Sequence, residues 1–146
     1  SGAFAQACIA ADRPGQLVLI GSLSGIAPTP DTCLYNATKF GLRGFGLSLR
    51  QDLEEYGIGV TVVEPGFIRD AGMFANNDVE LPRGVRTKSP VEVAQAVEKA
   101  IRTNPAEIFV APTELRAVAT LATVAPGLSE VIQRRVGTKE MRNGTR

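Results

Sequence analysis

Residues 18–39 read VLIGSLSGIAPTPDTCLYNATK, and this stretch decides the fold. The run over residues 16–22 has no charge and is rich in leucine and β-branched residues, a pattern typical of a strand buried on both faces of a parallel sheet. Ser22 lies at the end of this predicted strand. A loop containing proline and glycine then leads into a predicted helix that begins near Cys33. The stretch therefore predicts a strand, a loop and a helix in succession, which is the repeating unit of an α/β fold.

Three side chains in this stretch have complementary chemistry. Tyr35 and Lys39 are four residues apart, so they share one face of the predicted helix. An ammonium group held close to a phenol stabilises the phenolate, so Tyr35 could give or take a proton. The hydroxyl of Ser22 stays neutral and could hydrogen-bond a substrate oxygen. Tyrosine and lysine at this spacing also occur in helices with no chemical role, and a serine at a strand end is ordinary turn chemistry, so the spacing alone decides nothing.

The rest of the chain continues the alternation of strand and helix. Alternating elements joined by right-handed crossovers predict an α/β fold, in which a parallel sheet is flanked by helices. Ser89, followed by proline, is typical of a helix N-cap. The predicted strands cover residues 16–22, 60–64 and 107–111, and the predicted helices cover residues 2–12, 33–56, 90–103 and 115–136.

Apolar stripes and glycines mark how the helices should pack. Gly41, Gly44 and Gly46 each cost about 1 kcal/mol relative to alanine inside a helix, so we expect another backbone, either the sheet or a neighbouring helix, to approach there. Gly57 and Gly59 are expected to end that helix. Apolar residues at helical spacing predict two buried stripes, one at Leu42, Phe45, Leu49, Leu53 and Tyr56, the other at Val91, Ala94, Val97, Ala100 and Ile101.

The composition excludes several classes of function. Sixteen basic and fifteen acidic residues give a net charge of +1, which predicts no nucleic-acid partner. The absence of histidine removes Ser-His-Asp and Cys-His catalysis, and no metal site is predicted. Cys8 and Cys33 lack a ligand cluster, which favours a reduced, cytoplasmic protein. The uncharged residues 117–129 are too few to span a bilayer, so no membrane partner is expected.

Two motifs together resemble the short-chain dehydrogenase/reductase family. Ser22 is followed thirteen residues later by Tyr35 and then by Lys39, in the form Tyr-Asn-Ala-Thr-Lys. Residues 62–68, VVEPGFI, resemble the strand and Pro-Gly loop that closes over the nicotinamide in that family. The similarity runs from about Gly2 to at least Thr113, and it implies the C-terminal half of a Rossmann-like, doubly wound fold. Both motifs follow predicted strands, so they should meet at the edge of the sheet where such folds bind ligands.

The resemblance implies a reaction and roles for individual residues. It implies hydride transfer between NAD or NADP and a small-molecule carbonyl or secondary alcohol. Tyr35 would be the general acid and base, Ser22 would position the substrate oxygen, and Lys39 would hydrogen-bond the nicotinamide ribose and favour ionisation of Tyr35. Pro65, Gly66 and Ile68 would lie against the nicotinamide, and no metal is implied.

The glycine-rich turn that holds the cofactor's pyrophosphate in this family has no counterpart in the sequence. Gly44 and Gly46 form a G-x-G within a long element, but they lie inside a helix, with Leu49 where a third glycine is needed. We therefore expect residues 1–137 to be a partial Rossmann-like domain without its N-terminal nucleotide-binding half, followed by a polar tail over residues 138–146. Such a truncated chain is expected to be inactive alone. Its hydrophobic first strand would be an exposed edge, which favours self-association as a homo-oligomer.

Residues 67–88 have no regular periodicity and are expected to form a long, mobile lid. Met73 and Phe74 in this segment could contact an apolar substrate, or could pack on the loop itself. Asp70 departs from the family, which commonly has threonine at this position. Its carboxylate could accept from the carboxamide but would repel a pyrophosphate unless Arg69 compensates, so its role stays open.

Three other functions have some support in the sequence. A non-catalytic relative of the same family could serve as an interaction subunit, using the glycine-rich helix and the C-terminal helix as contact surfaces. Residues 21–25, GSLSG, faintly resemble a hydrolase nucleophile motif, but the central residue is leucine and histidine is absent. Membrane association through residues 115–136 is a weak alternative, because amphipathic helices more often belong to a core or a subunit interface.

Overall fold

The computed structural model describes residues 1–28, 32–70, 86–125 and 127. Four helices, three strands and two short 3-10 turns follow one another along these residues. The predicted tail over residues 138–146 and the predicted helical residues beyond Gly127 lie outside them. In chain order the elements are α1 (Gly2–Ala10), β1 (Gly15–Ile20), a 3-10 turn (Leu23–Gly25), α2 (Cys33–Leu53), a 3-10 turn (Glu54–Tyr56), β2 (Ile58–Pro65), α3 (Pro90–Thr103), β3 (Glu107–Val110) and α4 (Thr113–Val124).

The three strands form a parallel sheet in the order β1-β2-β3. In its register Leu19 lies beside Val62, and Val63 lies beside Ile108. β2 is the middle strand of the three and is buried over residues 58–64, as expected for a strand covered on both faces. The predicted α/β class, a parallel sheet with flanking helices, is confirmed.

The ends of the strands differ from the sequence predictions. β1 ends at Ile20, so Ser22 lies beyond the strand and caps the following turn. β2 begins at Ile58, so Gly59 lies inside this strand. The prediction that Gly59 ends α2 is therefore wrong. A side chain at Gly59 would collide with those of Gln16 and Asn104, which explains the glycine. Gly57 does end the helical segment, with a left-handed φ of 65°.

Helices cover both faces of the sheet. Alternate residues of a strand point to opposite faces, so Val60 and Val63 of β2 belong to different cores. The first core lies beneath α1 and α2, and the second lies beneath α3. The first contains Ala5, Leu53, Ile58 and Val60 with Cys8, Leu17, Leu19 and Leu49, and the second contains Val63, Ala96, Ala100 and Val110 with Val18, Val93, Val97 and Ile108.

The buried faces of α2 and α3 differ in part from the apolar stripes that the sequence predicts. On α2, Leu53 is buried, but Phe45 and Tyr56 are each about half exposed, at 49% and 47%. On α3, Val97 and Ala100 pack on the sheet, whereas Ala94, Val91 and Ile101 face outward. The reason is that Val93 and Ala96 share the face of Val97 and Ala100, and the small side chains of this face let the helix lie close to the strands.

The predicted N-cap of α3 is confirmed. The Ser89 hydroxyl accepts from the Glu92 amide at 3.3 Å, and the Glu92 carboxylate accepts from the Ser89 amide at 2.8 Å. This reciprocal capping box satisfies two amide donors of the first helical turn. Hydrogen bonds to Lys88 and to Ser89 lower the pKa of Glu92 to about 2.

The three glycines of α2 have different surroundings. A Cβ added to Gly46 would lie 2.6 Å from Cγ2 of Val62 and 2.9 Å from Cδ1 of Leu19, so the sheet does approach this glycine, but with side chains and not with the backbone that we expected. Added Cβ atoms at Gly41 and Gly44 would meet no described atom within 4 Å, so neither lies against the sheet.

We expect Gly46→Ala to lower the free energy of unfolding by about 1–3 kcal/mol, because the added methyl overpacks a closed interface. Gly44→Ala is the matched control on the same helix. It should stabilise the protein by up to about 1 kcal/mol, since it gains helix propensity without a clash. Urea denaturation of both variants measures the difference. Equal effects of the two substitutions would contradict the packing of α2 on β2.

Candidate active site

The carboxyl ends of β1 and β2 form one edge of the sheet, which we call the rim: Gly21, Ser22, Glu64, Pro65 and Gly66. The Ser22 amide donates to Oε2 of Glu64 at 2.5 Å, which joins the two strand ends directly. The Gly66 amide donates to the Val110 carbonyl at 3.0 Å and joins the rim to β3. The two sequence motifs therefore meet at one edge of the sheet, as their positions after strands predicted.

Ser22 holds its turn with its side chain. Its hydroxyl oxygen accepts from the Ser24 amide at 3.1 Å and caps the 3-10 turn Leu23–Gly25. A hydroxyl that accepts through a lone pair still has its proton to donate. The half-buried Ser22 side chain can therefore donate a hydrogen bond to a ligand oxygen at the rim.

Lys39 lies between the rim and Tyr35. Its Nζ donates to the Ile20 carbonyl at 3.1 Å, at the last residue of β1. The same Nζ lies 5.7 Å from the centroid of the Tyr35 ring. At this distance a cation is attracted by the face of the aromatic ring. The spacing of four residues on α2 thus brings the amine over the Tyr35 ring and also to the strand end that precedes Ser22.

Close packing fixes the Ser22 turn against α2. A Cβ added to Gly25 would lie 2.8 Å from the backbone carbonyl oxygen of Lys39, so this glycine allows the turn to touch the helix backbone. On the other side, Thr123 of α4 donates its hydroxyl proton to the Ile26 carbonyl at 3.0 Å. The turn that carries Ser22 is therefore held between two helices.

Pro65 and Gly66 end β2 beside the same turn. A Cβ added to Gly66 would lie 3.3 Å from Cδ1 of Leu23 and 3.1 Å from Cβ of Ala111. Beyond the loop, Ile68 pairs with Lys88 as an isolated parallel bridge. Ile68 and Lys88 lie at the two ends of the segment predicted to be a lid, and their backbones are therefore neighbours. Its residues 71–85, including Met73 and Phe74, lie outside the described part of the chain.

Asp70 adopts a left-handed φ of 67°. Its carboxylate lies 3.4 Å from Nε of Arg69, and both side chains are at least half exposed. The arginine therefore compensates part of the charge that Asp70 adds after the Pro-Gly loop. An exposed ion pair of this kind contributes little to stability, typically less than about 1 kcal/mol.

Sequence reasoning missed the role of Glu64. Its side chain is fully buried beneath the rim, and burial raises its pKa to about 7 despite the hydrogen bond from the Ser22 amide. The sequence contains a signal for this residue, because Glu64 is the one charged residue in the buried run over residues 58–65. A charge at such a position requires a partner, and the sequence could not identify the Ser22 amide as that partner.

The donors at the rim fit a nicotinamide nucleoside. Among the residues that the structure describes, the Lys39 ammonium bonds the Ile20 carbonyl, and its other two N–H donors suit the hydroxyl groups of a ribose. The Tyr35 ring and the Ser22 hydroxyl lie on the elements that border the same rim. The carboxyl edge of a parallel sheet is also where ligands bind in doubly wound folds.

Comparisons with known proteins find similar sequences and similar folds. A profile of the short chain dehydrogenase family matches residues 2–81. The ketoacyl reductase HetN of Nostoc sp. strain PCC 7120 is 34% identical over 96 residues, which are 66% of this chain and 33% of that protein. Acetoin dehydrogenase YohF from Salmonella typhimurium is 25% identical in structural alignment, with a TM-score of 0.60 over 73% of this chain and 46% of that chain.

A 4-hydroxyisoleucine dehydrogenase solved with NADH has the same fold, with a TM-score of 0.61 at 21% identity over 75% of this chain and 50% of that chain. This chain thus spans between 33% and 50% of the length of these relatives. None of the helices among the described residues is both long and apolar enough to cross a membrane.

Proposed function

Because the chain belongs to the short-chain dehydrogenase family, we propose that the full-length protein is an NAD- or NADP-dependent oxidoreductase acting on a small-molecule carbonyl or secondary alcohol. Membership of this family supports an oxidoreductase of the dehydrogenase or reductase kind. The observation that supports the finer proposal is the position of Lys39, whose ammonium contacts both the end of β1 and the face of Tyr35. This arrangement puts a proton donor, a cation and a hydroxyl along one sheet edge.

We assign one role to each of the three side chains. Ser22 donates its hydroxyl proton in a hydrogen bond to the substrate oxygen and orients the reacting carbon. In reduction, the Tyr35 hydroxyl gives its proton to that oxygen, and in oxidation the phenolate takes it back. Lys39 places its positive charge over the Tyr35 ring. A bound nicotinamide supplies or accepts the hydride.

The nicotinamide side of the site is assigned to Lys39, Tyr35 and the loop after β2. Lys39 would hydrogen-bond the ribose through its remaining N–H donors, and Pro65, Gly66 and Ile68 would form the wall beside the nicotinamide ring. The solved relative that binds NADH supports a nicotinamide cofactor in this fold. Titration of the full-length protein with NADH and with NADPH distinguishes the two cofactors. The cytoplasm is the compartment expected from the two unpaired cysteines.

A second candidate is a non-catalytic family member that serves as an interaction subunit. One observation favours it, since α2 exposes large apolar side chains beside the open positions of Gly41 and Gly44. Unpartnered apolar surface of this kind is typical of a contact face, and it also fits the expected homo-oligomer. These exposed residues are Leu34, at 81%, Phe40 and Phe45.

Titration with reduced cofactor separates the two candidates. We expect NADH or NADPH to bind the full-length protein, and Lys39→Ala to weaken binding by about tenfold, which corresponds to about 1.4 kcal/mol for a lost charged hydrogen bond. Lys88→Ala is the matched control, because Lys88 pairs with Glu92 at 2.8 Å on a different element. Cofactor fluorescence measures both constants. Absence of binding, or equal weakening by the two substitutions, would favour the interaction subunit.

A further inference from the structure

Glu64 occupies an unusual place for a charged side chain. It lies near the end of the middle strand, and its exposed fraction is 0%. Its neighbours along β2 are apolar except for Thr61, whose hydroxyl donates to the Pro105 carbonyl at 2.5 Å. Burying a carboxylate costs several kcal/mol unless hydrogen bonds or charges compensate it. The contacts of Glu64 therefore indicate what it is used for.

The strongest contact of Glu64 is with the backbone of Ser22. The Ser22 amide donates to Oε2 at 2.5 Å, a short hydrogen bond of the charge-assisted kind. The other oxygen, Oε1, is buried with no hydrogen-bond partner among the residues that the structure describes. Among the described residues, the carboxylate therefore accepts one hydrogen bond, from the Ser22 amide. Ser22 is also the residue whose hydroxyl is proposed to bind the substrate oxygen.

The charged side chains near Glu64 do not substitute for the hydrogen bond that it accepts from the Ser22 amide. Lys39 and Arg43 face it from α2, and Glu107 faces it from β3. The Arg43 guanidinium is bound to Glu107 through two hydrogen bonds of 2.7 and 3.0 Å. The Lys39 ammonium is bound to the Ile20 carbonyl. Both cations act on Glu64 only through space, so neither holds its carboxylate in place.

Gly21 makes the contact possible. A Cβ at this residue would lie 2.7 Å from Cδ of Glu64 and 2.8 Å from Oε1. The Gly21 amide also donates to the Val63 carbonyl at 2.8 Å, which fixes its position on β2. The carboxylate therefore fills the space that any other residue at position 21 would occupy.

We infer that Glu64 is a positioning residue for Ser22: its buried carboxylate anchors the Ser22 amide and thereby sets the turn that aims the Ser22 hydroxyl at the substrate oxygen. The inference rests on the proposed function, because it takes Ser22 as the group that binds that oxygen. Loss of the anchor releases the turn at its first residue, while the cap between Ser22 and Ser24 remains. The hydroxyl then loses its fixed distance to the reacting atoms.

A double-substitution cycle in the full-length protein tests this inference. We expect Glu64→Ala to lower kcat by about 10- to 100-fold with little change in KM, as for other small misplacements of a reacting group. Combined with Ser22→Ala, the same substitution should change kcat less than about twofold, because no hydroxyl remains to be misplaced. Glu64→Gln keeps a side chain of the same length with an acceptor oxygen, so kcat should stay within about threefold of the wild type. Glu64→Asp shortens the side chain, so kcat should fall by more than that. Gly21→Ala should behave like Glu64→Ala.

An equal loss of kcat from Glu64→Ala with and without the Ser22 hydroxyl would overturn the inference and leave Glu64 a purely structural residue. A second measurement does not depend on activity or on the alanine variant. The NMR resonance of the Ser22 amide proton should be shifted strongly downfield in the wild type and less so in Glu64→Gln, because a carboxylate is the stronger acceptor. Identical Ser22 amide shifts in the two proteins would refute the anchor. An inactive wild type with the shifted resonance would contradict the proposed function and leave the contact established.

Discussion

We expect Tyr35→Phe to lower the kcat of the full-length protein by about 10²–10⁴-fold, the usual contribution of a positioned general acid or base. The substitution removes one oxygen and leaves the ring, so the cation–π contact with Lys39 at 5.7 Å can persist. Cofactor affinity should therefore change little. Steady-state oxidation or reduction, followed by the absorbance of the reduced nicotinamide, measures kcat, and a fluorescence titration measures affinity.

Tyr56→Phe is the matched control for this experiment. Tyr35 and Tyr56 are the two tyrosines of the chain, and Tyr56 lies on the 3-10 turn after α2 with 47% of its surface exposed. Removing its hydroxyl should leave kcat and stability close to those of the wild type. If Tyr35→Phe retained the wild-type kcat, Tyr35 would lose its proposed role, and the site would need another proton donor.

The stability of the protein should fall as the pH rises from about 4.5 to about 7, and Glu64 is the cause we identify. Burial raises the pKa of Glu64 from 4.5 to about 7, while the Ser22 amide, Arg43 and Lys39 oppose the increase. Below pH 4.5 the carboxyl is protonated in both the folded and the unfolded protein, and its contribution to stability is fully present. As the pH rises through 7, the folded protein must ionise a buried group that the unfolded chain ionises freely, and that contribution is lost.

Wild type and Glu64→Gln, compared by urea denaturation across this range, isolate the effect. We expect the difference in their free energies of unfolding to change by roughly 3 kcal/mol, with the wild type losing stability relative to the variant as the pH rises. The other titrating groups are the same in both proteins and should largely cancel. A difference that stays constant from pH 4.5 to pH 8 would show that Glu64 titrates at its ordinary pKa.

The stability cost of Glu64 and its anchoring of Ser22 both arise at one contact of the rim. Above its pKa of about 7 the ionised Glu64 carboxylate costs stability because it is buried, yet it provides the strongest acceptor for the Ser22 amide. A stability cost at a site that positions a reacting group is a common compromise in enzymes. Glu64→Gln should accordingly stabilise the protein at high pH while weakening the anchor of Ser22.

The sequence by itself determined the fold class and the composition of the rim. An uncharged run over residues 16–22 and a mainly apolar run over residues 60–64, in which Glu64 is the one charge, read as buried parallel strands, because β-branched and leucine residues without alternation fit a strand covered on both faces. The four-residue spacing of Tyr35 and Lys39 also fixed their common helix face. These properties are local, since strand and helix periods depend only on neighbours along the chain.

Only the tertiary structure decided which faces are buried and what Glu64 does. Periodicity marked Phe45 as a buried residue of α2, but that helix turns Gly46 toward Val62 and leaves Phe45 half exposed. The carboxylate of Glu64 meets the Ser22 amide across 42 residues of chain, through the parallel pairing of β1 with β2. Contacts of this kind depend on strand register and helix rotation, which many distant side chains set together and no local pattern encodes.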